Sequence, residues 1–279
     1  MPTEGPGLYA TSDLHIGYTD NTPWLTQLQP RTNEDWLIVA GDVGETYDQV
    51  VDTLADLKER YAEVIWVPGN HELWTVPPKP GELRGVARYD NLVEGLRGIG
   101  VITPEDEYPV WDPHGSALTV VPMFLLYDYS WGHNGLTGRA AVDASIADGI
   151  VCTDEALLHT DPYDSVVDWC HERVRRTEER LMALPEGSAP VLVNHFPLDR
   201  RVLAPLYYPS FSVWCGTELS ADWPTRFGAY AVVYGHLHIP IPRVLDGILH
   251  QEVSLGYPRE WRARRDSPTI PVQIAKARP

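Results

Sequence analysis

The sequence predicts an α/β protein. The prediction rests on short apolar runs that each end in a polar turn, on helical periodicity between them, and on the absence of any repeat or low-complexity tract in the 279 residues. Leu8–Ala10 leads into Thr11-Ser12-Asp13-Leu14-His15, and Trp36–Ala40 (WLIVA) into Gly41-Asp42. Asp48–Tyr61 sets Val50, Val51, Leu54 and Leu57 at helical spacing, and Val64–Val67 then leads into Gly69-Asn70-His71-Glu72. Strand, polar turn, helix, strand, polar turn is the rhythm of an α/β sheet, where ligands gather at the carboxyl ends of strands.

The pattern loosens from Pro77, and Glu82–Ile99 suits a helix. Ala117–Leu126 reads as a strand, edge or bulged, because Pro122 has no N–H to donate. Residues 127–164, rich in Gly, Asp and Thr, are expected to form an insertion or lid. Ser165–Leu184 carries an apolar stripe of Val166, Trp169, Val174, Leu181 and Leu184. Its Arg173, Arg175, Arg176 and Arg180 interleave with Glu172, Glu178 and Glu179, which predicts a salt-bridged exposed face. Val191–Val193 leads into Asn194-His195, and Tyr230–Tyr234 into Gly235-His236-Leu237-His238. Between them, 196–225 is rich in Pro and aromatic residues and is the expected substrate loop. Asp246-Gly247 between two β-like runs signals a hairpin. One domain over 1–279 is the expected organisation.

Composition narrows the classes. At 43% hydrophobic and 22% charged residues the chain can bury a core and stay soluble. No apolar run reaches the roughly 18 residues of a membrane span, and the N-terminus lacks the basic and apolar regions of a secretory signal. Cys152, Cys170 and Cys215 have no ligand-type spacing, so passive thiols in a reducing cytoplasm are expected. A formal net charge of −17 opposes bulk nucleic acid and anionic membranes. A small anionic substrate is compatible with it where metal ions or a few arginines supply local positive charge.

The polar groups at the strand ends share one chemistry. Asp13, His15, Asp42, Asn70, His71, His195, His236 and His238 can all meet a divalent metal, and mixed imidazole and carboxylate suit Mn, Fe, Zn, Co or Ni. In extended backbone Asp13 and His15 face one side, as do His236 and His238. So many donors suit two ions about 3.5–4 Å apart sharing a carboxylate. Asp42, with a glycine before it to permit close approach, is the natural bridge.

In this order, Asp13-Leu14-His15, Gly41-Asp42, Gly69-Asn70-His71-Glu72, His195 and Gly235-His236-Leu237-His238 resemble the calcineurin-like metallophosphoesterase family. The resemblance implies a four-layer α/β/β/α sandwich of two mixed sheets flanked by helices, with two metal ions (Mn, Fe or Zn). By position it assigns Asp13, His15, Asp42 and His238 to one ion, and Asp42, Asn70, His195 and His236 to the other. It makes His71 the catalytic residue that acts on the phosphate or the leaving oxygen. Glu45 stands where many members carry Asp, and Asn194 where many carry Gly; neither change removes a ligand.

The expected function is a phosphomonoesterase on a small phosphorylated molecule, working through a water activated by the two metals. The first rival is a phosphodiesterase on a small nucleotide, cyclic ones included. The rival of another class is a non-catalytic interaction module of this fold, which the complete ligand set and His71 disfavour. Trp74, Arg200, Arg201 and Tyr207 are candidate substrate-binding residues, with Tyr127, Asp128, Tyr129, Trp131, Asp199, Tyr208 and Trp214 beside them. Arg139, Arg259 and Arg262 rank lower. His114, His133, His159, His171 and His250 are read as structural or surface residues.

Overall fold

The computed structural model describes residues 5–76, 82–115, 117–264 and 266–277. The stretch 77–81, where the strand, turn and helix rhythm loosens, lies outside the described residues. The strands are β1 (Gly7–Thr11), β2 (Trp36–Val39), β3 (Glu63–Trp66), β4 (Val110–Trp111), β5 (Leu118–Pro122), β6 (Pro190–Val193), β7 (Ala231–Tyr234), β8 (Arg243–Leu245), β9 (Ile248–Glu252) and β10 (Val272–Lys276). The helices are α1 (Tyr47–Arg60), α2 (Asn70–Leu73), α3 (Gly85–Gly98), α4 (Gly138–Ala147), α5 (Asp154–Leu157), α6 (Val166–Met182), α7 (Trp223–Arg226) and α8 (Pro258–Ala263).

The strands form two mixed sheets. One has the order β10-β1-β2-β3, with β1, β2 and β3 parallel and β10 antiparallel at the edge. The other has the order β4-β5-β6-β7-β9-β8, parallel through its middle with antiparallel edges. Side chains alternate between sheet faces, so each apolar run divides between two cores. Ile38, Ala40, Ile65 and Val67 meet Val120, Val191, Val193, Ala231 and Val233 between the sheets. Leu37, Val39, Val64 and Trp66 face outward and pack with Val50, Leu54 and Leu57 of α1 and Leu92 and Leu96 of α3. Val121, Leu192 and Val232 belong to the same outer cluster as Trp169, Val174 and Leu181 of α6. Helix, sheet, sheet and helix make the expected four layers, and each fully buried aliphatic side chain contributes about 1.5–3 kcal/mol.

Local chemistry sets the element ends. Thr46 and Gln49 form a capping box at the start of α1, and Ser165 caps α6 by accepting from the Asp168 N–H. Asp246 (φ 51°) and Gly247 (φ 84°) both take positive φ, the requirement of the tight turn joining β8 to β9. Two expectations need correction. β5 is not an edge strand, yet β4 pairs only with Leu118 and Thr119, so Pro122 lies beyond its end and no ladder bond is lost. The arginines of α6 do not form one solvated face. Arg175 pairs with Glu172 and Glu179 in the open, whereas Arg173 is buried against Glu105 and the Phe124 ring, and Arg180 donates to the Pro104 and Asp106 carbonyls.

Candidate metal centre

The predicted donors sit just past strands β1, β2, β3, β6 and β7 and converge. Asp13, His15, Asp42, His236 and His238 have φ of 52°, 42°, 55°, 68° and 55°. Residues with a Cβ seldom adopt this left-handed backbone, which costs about 1–3 kcal/mol each. The finding corrects the extended geometry expected of Asp13/His15 and His236/His238: the chain turns sharply after the strand and aims each side chain inward. Glycines make room at two of these turns, Gly41 before Asp42 and Gly235 before His236. A Cβ on Gly41, itself at φ 87°, would lie 2.6 Å from the Gly69 nitrogen and 2.7 Å from His195 Nδ1. One on Gly235 would lie 2.3 Å from Asp13 Oδ2.

The donor atoms face one another at the spacing of ligands around an ion. His238 Nε2 is 2.9 Å from Asp13 Oδ1 and 3.2 Å from His15 Nε2. Asp42 Oδ2 is 3.8 Å from His15 Nε2 and 3.4 Å from His195 Nε2, so it stands between the two groups. His195 Nε2 is also 3.2 Å from Asn70 Oδ1. The trios Asp13/His15/His238, His15/Asp42/His71 and Asp13/Asp42/His195 each bring their ligand atoms within 4.8 Å.

The protons leave these atoms in need of a cation. His195 Nδ1 donates to the Ala40 carbonyl at 2.8 Å, and His238 Nδ1 to Glu260 at 2.5 Å. Each Nε2 is then a lone pair aimed at other acceptors, a repulsive array unless positive charge lies among them. Burial would lower both histidines, but the carboxylates of Asp42 and Asp13 outweigh it and push each up to about 10. That is the pull that a proton or a metal ion satisfies. Burial and the neighbouring His195 push His236 down to about 3, which keeps it a neutral ligand. Its shielded Nε2 has no hydrogen-bond partner among the described residues. The donor set fits a metal, and a bound ion would supply Lewis-acid charge for a phosphate and lower the pKa of water.

Outer partners fix the donors. Asp154 accepts from Asn70 Nδ2 at 2.8 Å, which leaves the amide oxygen on the ligand side, and from Trp74 Nε1 at 2.6 Å. Fully buried Glu72 accepts from the backbone of Asp42, Val43 and Gly69 and so ties two ligand turns together. Burial and Asp42 raise its carboxyl to about 7. Ser12 and Ser254 donate to Asp13 Oδ2. Glu45 keeps a contact despite its longer arm, 3.3 Å from His71 Nδ1. Asn194 accepts from the Leu125 N–H and donates to the Phe196 carbonyl, so it pins the turn that carries His195. Asp154, Tyr257 and Glu260 were not anticipated. Tyr257-Pro258-Arg259-Glu260 does read as a helix start, with Pro first and Glu at the third position, but no local signal places it beside the donors.

A cavity of about 500 Å³ opens above the donors. Asp42, Asn70, His71, His236 and His238 line its floor; Trp74, Cys152, Leu206, Phe211 and Tyr257 line its wall. The candidate substrate residues divide. Trp74 lines the cavity with its ring 3.6 Å from that of His71, and Tyr207 and Tyr208 form an exposed lip. Arg259, ranked lower from sequence, also lines it. Arg200 and Arg201 do not. Arg200 donates to the Gly132 carbonyl, and Arg201 is held by Asp199 and Asp246, so their forks serve the protein's own acceptors. Tyr127, Trp131 and Trp214 are core residues, Tyr129 bonds Glu155, and Asp128 bonds His171 and Thr217. His250 is buried, as a structural histidine should be; the side chain of His114 lies outside the description. Cys170 and Cys215 are buried free thiols, and Cys152 is half-buried. No described helix is long and apolar enough to cross a membrane.

The layered fold and the ordered donors define a metal-dependent hydrolase of phosphoric esters. The profile of the calcineurin-like phosphoesterases matches residues 8–240, and the chain belongs to that family. Among characterised proteins it is similar to the [acyl-carrier-protein] phosphodiesterase PptH of Mycobacterium tuberculosis, with 51% identity over 261 residues, 93% of this chain and 81% of the relative. The crystal structure of the phosphopantetheinyl hydrolase PptH from the same organism superposes with a TM-score of 0.93 at 49% identity, covering 97% of this chain and 96% of the other.

Proposed function

We propose that this protein is a phosphodiesterase that removes the phosphopantetheinyl group from a carrier protein. The observation that carries the reading is the likeness to PptH at half identity over nearly the whole chain. It displaces the small-molecule phosphomonoesterase expected from sequence in favour of a protein-bound diester. The cavity is compatible with it: metal ligands lie at the floor, and an apolar wall of Leu206, Phe211 and Val151 leads to the exposed Tyr207 and Tyr208. A neutral, partly apolar arm suits such a wall, and a protein can approach such a lip.

Two metals are the proposed complement, with Asp13, His15, Asp42 and His238 at one and Asp42, Asn70, His195 and His236 at the other. In the reaction water attacks phosphorus, the bond from phosphorus to the carrier protein's oxygen breaks, that oxygen takes a proton, and the phosphopantetheinyl group leaves as its phosphate monoester. His71 lies on the cavity floor with Nε2 3.8 Å from Asp42 Oδ2, and is the group assigned to act at the leaving oxygen. Trp74 and Glu45 hold its ring. Incubation of the Mn²⁺-loaded protein with holo acyl carrier protein tests the proposal by intact mass. Conversion to the apo mass is expected. An unchanged holo mass from a preparation that cleaves an aryl phosphodiester would reject the carrier substrate and keep the esterase.

A further inference from the structure

We propose that Tyr257 is a positioning residue for ester cleavage: its hydroxyl holds the His71 ring at Nε2, and Nε2 exchanges that contact for the leaving oxygen, to which it gives its proton, when a phosphoric ester is bound. The proposal rests on His71 acting at the leaving oxygen and is independent of which diester is natural. Tyr257 lies beyond residues 8–240, where the family profile ends, so no family motif names it.

His71 is gripped on three sides. Glu45 Oε1 lies 3.3 Å from Nδ1, the Tyr257 hydroxyl lies 3.1 Å from Nε2, and the Trp74 ring packs on its face. Glu45 and Trp74 hold the Nδ1 side and one face of the ring; the Tyr257 hydroxyl adds a contact at Nε2, so the ring is held at both nitrogens. Tyr257 is itself fixed by the metal-ligand turns. Its ring stacks on His15, with centroids 4.5 Å apart and planes 28° apart, and meets His238 edge-on at 4.7 Å. Its N–H donates to Glu260 Oε2, the atom that also accepts from His238 Nδ1. One residue therefore ties the orientation of His71 to both His15 and His238.

Tyr257→Phe removes the hydroxyl and keeps the stack. The test uses Mn²⁺-loaded enzyme and methyl aryl phosphates graded from 4-nitrophenyl to phenyl. A nitrophenolate departs without a proton, whereas a phenolate gains from one, so a loss confined to the poorer leaving group reports on His71. For the variant, metal content and KM are expected within about twofold of wild type. The rate is expected to fall less than about threefold with 4-nitrophenyl and about 10–100-fold with phenyl, a share of the 10²–10⁴ typical of a general acid. In a His71→Ala background the same change is expected to cost nothing further. The ¹⁵N resonances of the His71 ring are expected to move in metal-free Tyr257→Phe. Equal loss with every leaving group, no loss with any, or an additive loss in the double variant would each overturn the proposal. Failure on a carrier protein would leave this series intact, so the two readings fail separately.

Discussion

The floor of the cavity comes from strand ends that share one chemistry, whereas its wall comes from segments with no chemistry in common. At the floor, Asp13, His15, Asp42, His236 and His238 sit in left-handed backbone, and glycines make room beside them. The wall takes Cys152 from the segment before α5 (with Asp154 of α5 buried against Trp74), Leu206 and Phe211 from the loop after His195, and Tyr257 and Glu260 from the start of α8. The contrast teaches where each part can change. Floor residues are limited by what binds a metal, and wall residues only by what packs, hydrogen-bonds and admits a substrate.

The harshest way to break the comparison is Asp42→Ala. It removes the carboxylate between the His15 and His195 nitrogens, so elemental analysis should find the metals lost and activity down by more than about 10³-fold, beyond the 10–100-fold of outer partners. Full metal content in the variant would reject Asp42 as the shared ligand. His71→Ala should keep its metals and lose about 10²–10⁴-fold in turnover. A wild-type rate would remove it from the chemistry.

The wall tolerates more. Asp154→Ala strands Asn70 Nδ2 and Trp74 Nε1 in a buried site, so denaturant melts should show about 1–3 kcal/mol lost and metal titration a weaker second site. An unchanged melt would mean that 127–164 does not support the floor. The mildest change is Tyr207→Ala. Tyr207 is 85% exposed, so stability should move by less than about 0.5 kcal/mol. KM for a carrier protein should rise several-fold while the rate with an aryl diester holds. A shift of both together would place Tyr207 outside protein recognition.

The same contrast explains what could be read from the sequence. The α/β rhythm was legible because the central strands β1, β2, β3, β6 and β7 are short, largely apolar and buried runs, whereas the four layers were implied by the resemblance of the ordered motifs. The donors were legible because few residue types bind metal, and they fall in order after the strands. Their backbone was not: a D-x-H spacing reads as extended chain, and only the three-dimensional turn shows positive φ at both ends. Arg200 and Arg201 misled because a loop arginine carries no mark of whether its partner is a substrate or a neighbouring Asp199. Tyr257 and Glu260 stayed hidden because their partners, His71 and His238, are 186 and 22 residues away.

The central claim is that the floor does the chemistry and the wall reads a protein-bound diester. It is tested most directly by comparing kcat/KM for holo acyl carrier protein and for bis(4-nitrophenyl) phosphate with one Mn²⁺-loaded preparation. The account predicts that the carrier protein is preferred by more than about 100-fold, despite its poorer leaving group, because contacts remote from phosphorus are used in the transition state. A preference for the aryl diester would contradict it.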